Sequence, residues 1–236
     1  KKNQGENIIS LAIGQPHFTP HDIVSVSGIK AIKENLVQYT ACNGLLELRK
    51  KISTYLLDNK GVVYDHKNII CTSGAKNAIY MALLCICNDF DEVIIPSPYW
   101  VSYPSLVKLV GACPVIVNTD EESNFILSEH YLEKAITSRT KALILCNPNN
   151  PTGTLIPSKE LYDFCETAAN KTIVFSDEAY YDYIEAPNYP SMIDLIKKFK
   201  FPVILVSKSV LGTINHTLLT LEAAKNRELL KSHAQR

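Results

Sequence analysis

Residues 25–210 read as a three-layer α/β domain built on a mostly parallel sheet, and three observations lead there. Short apolar runs rich in β-branched residues recur six times along the chain. Segments with helical spacing of apolar residues separate most of them. The runs are apolar at consecutive positions, as strands covered by helices on both faces must be, so right-handed helical crossovers between parallel strands are expected.

Taken in order, the first run is NIIC (68–71), followed by TSGAKNA and a helical pattern over 76–87. EVIIP (92–96) leads into SPYWVSY, with helical spacing over 99–110, and PVIVN (114–118) comes next. ALILC (142–146) opens onto NPNNPTG, and a third helical pattern occupies 159–169. TIVFS (172–176) runs into DEAYY, and PVILV (202–206) runs into SKS. Ligands of such sheets gather where strands end, at their carboxyl edge. Every exit except that of PVIVN carries polar or aromatic groups suited to a site.

The chain of 236 residues is long enough for one large α/β domain plus part of another. Twenty-four basic residues balance 24 acidic ones, which gives no electrostatic case for nucleic acid or an anionic membrane as partner. The longest apolar run, AIYMALLCIC (78–87), is too short to span a bilayer, and the opening KKNQGEN has no apolar signal core. Seven cysteines form an odd set. Those in NIICT, LLCIC and LILCN sit within apolar runs and are expected to be buried, reduced thiols of a cytoplasmic protein. No cysteine and histidine spacing suits a metal.

Alone, each exit has an ordinary structural explanation. TSGAK could be a helix cap, although Gly74 and Ala75 would also offer backbone N–H groups to a phosphate. Trp100, the only tryptophan, could pack in the core or stack on a planar ring. NPNNPTG is a rigid loop able to present the amides of Asn149 and Asn150. Asp177 ends an apolar strand, where a carboxylate is costly without a partner, and Tyr180 follows three residues on. Lys208 stands between two serines at the end of the last run. Together, a phosphate cradle, a stacking aromatic, an amide, a buried carboxylate, a phenol and a lysine match one ligand. That ligand is a pyridine ring bearing a phosphate, a phenolic oxygen and an aldehyde.

The order of blocks resembles the fold type I, pyridoxal-phosphate-dependent aminotransferases of class I/II, over roughly residues 8–209. The blocks are LAIGQPHFTP, YTACNGLLELR, TSGAKNAI, PSPYWVSYP, NPNNPTG, SDEAYYDY and SK. PSPYWVSYP is similar to the aspartate and aromatic members, and CNPNNPTGT with DEAYYDYIEAPNYPSM to the histidinol-phosphate-like ones. The resemblance implies an enzyme that moves an amino group between an L-amino acid and a 2-oxo acid. Lys208 would be the Schiff-base lysine and the acid/base of proton transfer. Asp177 would pair with the pyridine nitrogen, and Tyr180 and Asn150 with the ring's O3′. Trp100 would stack on the ring, and the backbone at Gly74, Ala75 and Lys76 would hold the phosphate beside Ser207. Gly14, Trp100 and Asn150 would line the substrate. Tyr39 would reach the phosphate of a neighbouring subunit, which implies a homodimer with shared sites.

By the same resemblance, residues 1–24 would line the substrate side, 25–210 would form the large cofactor-binding domain, and 211–236 would begin a linker helix and an incomplete small domain. After Lys208 the wording departs. The family's arginine eight residues on is His216 here, a usual serine is Leu205, and none of Arg49, Arg139, Arg227 and Arg236 stands where an anion-gripping arginine is expected. Either the segment between Lys208 and the helix-like tail has dropped out of the sequence, which is the expected reading, or the chain is a shortened relative. Same-fold lyases, synthases and oxidases, and a non-catalytic binding module, are the alternative functions.

Overall fold

The computed structural model describes residues 19–169, 171–186, 189–192, 194 and 204–206. Gly14, Ser207, Lys208, His216 and the tail 211–236 lie outside the described residues, as does the spacing that would test an omitted segment. By contacts the chain divides into two compact units, residues 1–38 and 39–236. The first contains helix α1 (Asp22–Lys33), whose Asp22 and Lys30 stand at the ends that the helix dipole favours.

The second unit carries a five-stranded sheet in the order β2-β1-β3-β4-β5, with every pairing parallel. The strands are β1 (Glu92–Ser97), β2 (Cys113–Asn118), β3 (Thr140–Cys146), β4 (Ile173–Asp177) and β5 (Ile204–Val206). Helices α2 (Leu46–Lys60), α3 (Ala75–Ile86), α4 (Tyr103–Leu109), α5 (Glu129–Ala135) and α6 (Ser158–Ala169) precede or connect them. Four of the six apolar runs thus become strands within two residues of the expected limits, and the described part of the last forms β5.

Alternation along the strands divides the core into two. On one face Val93, Ile95, Ala142, Ile144 and Phe175 pack with Ile79 and Leu83 of α3 and Tyr103, Leu106 and Val107 of α4. On the other, Ile94, Leu143, Leu145 and Val174 pack with Leu132 of α5 and Leu161 and Phe164 of α6. Helices therefore cover both faces, which makes the three expected layers and accounts for the consecutive apolar residues in β1 and β3. A small satellite core of Leu56 and Val62 lies under α2, which ends at Gly61 in the left-handed conformation (φ 59°).

Three expectations change. NIIC is not a strand: residues 69–71 have no sheet pairing, and Cys71 instead donates its N–H to the Asn43 carbonyl at 3.1 Å, with Ile70 62% exposed. Its residues suit a strand, but pairing is decided by what lies alongside. The helix expected from residue 99 starts at Tyr103, because Pro104 has no N–H to donate and fits only a first turn. The thiols expected to be buried mostly are not: Cys165 is buried, Cys71, Cys87 and Cys146 are half-buried, and Cys85 is exposed. All seven cysteines are free. Among the described residues no group could hold a metal ion, and no helix is long and apolar enough to cross a membrane.

Candidate active site

The strand order reverses beside β1, with β2 on one side and β3 on the other, so a crevice is expected at the carboxyl ends of β1 and β3. One side-chain amide bridges these ends. Asn149 Nδ2 donates to the Pro98 carbonyl (3.1 Å) and to Thr152 Oγ1 (2.9 Å). Asn149 is therefore spent on the loop itself rather than offered to a ligand, which narrows the expectation for NPNNPTG to Asn150. The peptide bonds before Pro98, Pro148 and Pro151 are cis.

Asp177 closes β4 and is 5% exposed. Its Oδ2 accepts a 2.7 Å hydrogen bond from the Tyr103 hydroxyl, and its Oδ1 accepts from the Ala179 N–H at 3.1 Å. Burial first, and then the adjacent carboxylate, push the Tyr103 hydroxyl far above its ordinary range, so it remains a donor. Cys146 is the residue paired with Asp177 across β3 and β4. Burial and then Asp177 push its thiol up to about 11, while the Tyr103 hydroxyl and the Asn150 N–H act the other way. The thiol is thus neutral near pH 7.

Trp100 meets Tyr103 edge to face, with centroids 5.4 Å apart and planes at 82°. Lys76 Nζ lies 4.9 Å from the centroid of the indole, a cation–π distance. Ala75, Trp100 and Cys146 all pack against the core of the α3 and α4 face. Gly74 caps α3 with φ 99°, a conformation that glycine adopts without strain. The first N–H groups of that helix have no acceptor within it. The helix start, the indole and the Asp177 carboxylate are therefore brought to one side of the sheet edge.

Asn150 and Tyr180 meet as expected, with Asn150 Nδ2 donating to the Tyr180 hydroxyl at 3.1 Å. Burial raises the phenol above its ordinary range, against the opposing effect of the Asn150 amide. Both residues line an open cavity of about 510 Å³ with Gly153, Leu155 and Tyr183. Tyr39 is fully exposed on this chain. At the last exit, Val206 of β5 pairs with Asp177, one residue before Ser207.

Sequence reading missed two groups. Tyr103 lies three residues beyond Trp100 on a buried helix face, where a tyrosine passes for core; the signal was its hydroxyl, which needs a partner when buried. Asn147 is 4% exposed and fully engaged: its amide donates to Tyr189 Oη at 2.8 Å, and its Oδ1 accepts from the Ile156 N–H at 3.1 Å. Tyr189 in turn donates to the Ile156 carbonyl. This clasp closes the base of the loop that carries Asn150.

Comparison with known proteins agrees with this arrangement. The bifunctional aspartate aminotransferase and glutamate/aspartate-prephenate aminotransferase of Petunia hybrida is 43% identical over 186 residues, covering 78% of this chain and 39% of its own length. Aspartate aminotransferase of Bacillus subtilis is 39% identical over 181 residues, covering 76% of this chain and 46% of its own. The crystal structure of aspartate aminotransferase from Rhizobium meliloti superposes with a TM-score of 0.82 at 26% identity, over 94% of this chain and 60% of that one. The chain thus spans less than half the length of these two curated relatives. The model of the family described as aminotransferase class I and II matches residues 6–210, most of the sequence, and the chain belongs to that family.

Proposed function

We propose that the whole protein is a pyridoxal-phosphate-dependent aminotransferase that moves an amino group between an L-amino acid, aspartate foremost, and a 2-oxo acid. Members of the family depend on this cofactor, and the residues present suit it. The observation that carries the reading is the buried Asp177 at the end of β4, beside Asn150–Tyr180 and on the Trp100 side of the sheet. A carboxylate so buried is favourable opposite a protonated ring nitrogen. The names of the Petunia and Bacillus relatives support an acidic amino donor.

When bound, the cofactor supplies an electron sink for charge developing at the substrate Cα. Asp177 would hold a proton at the ring nitrogen, and Asn150 and Tyr180 would bond O3′. Trp100 would cover one face of the ring and keep water from it. The N–H groups at Gly74, Ala75 and Lys76 would bind the phosphate with the help of Ser207. Lys208 would carry the cofactor and then, as a free amine, move the proton at Cα. Gly14 would lie beside the substrate carboxylate.

The fully exposed Tyr39 supports a homodimer in which each chain completes its partner's site. Free thiols support a reducing, cytoplasmic setting. The division at about residues 24 and 210 is part of the same proposal.

Borohydride reduction of the cofactor-loaded protein should leave a pyridoxyl group on Lys208, read by peptide mapping. Its absence from fully loaded protein would refute the reading. Aspartate and 2-oxoglutarate should be consumed one for one; ammonia release instead would point to a same-fold lyase or oxidase.

A further inference from the structure

We propose that Tyr103 is a positioning residue that decides where the shared proton rests, keeping Asp177 a carboxylate so that the ring nitrogen, not the aspartate, is protonated. This rests on the cofactor reading above and goes beyond it. Burial by itself favours the neutral acid over the charged one. A hydroxyl donating to a carboxylate opposes that, because it stabilises only the charged form. Tyr103 is 1% exposed and its hydroxyl reaches Asp177 Oδ2 at 2.7 Å.

Three features suit Tyr103 to this. Its own proton is held tightly, as burial and the neighbouring carboxylate ensure, so it cannot turn into an acceptor. Its ring is fixed by α4 within the core and by the Trp100 edge, so the donor direction is set before any ligand arrives. The other titratable groups facing Asp177 among the described residues, Cys146 from β3 and Tyr180 after β4, both have their protons held more firmly than usual. Neither introduces a charge near neutrality. The single phenolic hydrogen bond is then the feature that biases the proton from the aspartyl oxygen to the ring nitrogen. Because Trp100 leans on the same ring, Tyr103 also couples the angle of the stacking surface to the carboxylate.

The test uses the full chain loaded with pyridoxal phosphate carrying ¹⁵N at the ring nitrogen. The unchanged protein should show a protonated ring nitrogen at neutral pH. Tyr103→Phe should move the resonance towards the unprotonated value and weaken cofactor binding on the order of ten-fold. Tyr103→His, which keeps a donor, should restore the signal in large part. A protonated signal in Tyr103→Phe equal to that of the unchanged chain overturns the inference and leaves the aminotransferase reading intact. Failure of the unchanged chain to bind the cofactor overturns both. Should Tyr103→Phe not fold, tyrosine labelled with ¹³C at Cζ decides the matter. The Tyr103 resonance, identified by its loss in Tyr103→His, must shift on cofactor binding, and a fixed resonance overturns the inference.

Discussion

Two carboxylates are buried at opposite edges of the same sheet, and they are treated differently. Glu92 begins β1 and is 6% exposed; Asp177 ends β4 and is 5% exposed. Glu92 meets a guanidinium, with Arg139 Nε donating at 3.0 Å, and the Thr137 hydroxyl donates to its other oxygen. Its backbone N–H bonds the Arg139 carbonyl at 2.8 Å, so side chain and main chain fasten β1 to the start of β3 together. Asp177 meets a phenol, on the edge where strands of a parallel sheet present ligands. Burial alone, then, does not distinguish a staple from a working group. The partner and the edge do.

Substitutions at the two positions should separate these roles. Asp177→Asn preserves shape and should lower the amino-transfer rate by about 10²–10³-fold, the scale for removing one electrostatic group from an active site. Its melting temperature should stay close to that of the unchanged chain, and a large fall would mean that Asp177 is also a staple. Tyr189→Phe removes the hydroxyl of the Asn147 clasp and should cost about 1–2 kcal/mol in denaturant unfolding. A few-fold rise in KM should accompany it, since Asn150 loses its support.

Glu92→Gln should lower the melting temperature by a few degrees and leave kinetics unchanged. Hydrogen bonds from Thr137 and then Arg139 hold the Glu92 carboxyl below its usual value. The stabilisation is therefore complete above about pH 4.3, the ordinary glutamate value. It fades as pH falls through the lower folded value. The gap between unchanged and variant melting curves should close on acidification, and a gap that widened would contradict the pairing. The smallest effect concerns thiols: iodoacetamide should label exposed Cys42, Cys85 and Cys113 before Cys146, whose proton burial retains. Mass spectrometry of a time course checks the order.

Much of this was legible in the residues. β1 to β4 could be read because each is a run of β-branched and aliphatic residues long enough to be covered on both faces. NIIC has the same composition and still pairs with nothing among the described residues, because a ladder depends on a neighbour that local composition does not encode. Helix α2, at LELRKKISTYLLDNK, was not singled out, since its charges obscure a thin apolar stripe. Within the site, Asp177, Asn150, Tyr180 and Trp100 could be found as the polar or aromatic residues at strand exits. Tyr103 could not, because its role depends on a hydrogen bond between residues 74 positions apart. Asn149 shows the reverse: its position suggested a ligand donor, and the Pro98 carbonyl claims it.

That amide from Asn149 to Pro98 has a bearing on engineering. It is a strut between two mouths of the crevice, so the loop after β1 and the loop after β3 cannot be lengthened or swapped one at a time without leaving a carbonyl stranded. Grafting a wider entrance onto this scaffold would need both segments redesigned as one piece, or a new cross-tie supplied in place of the old.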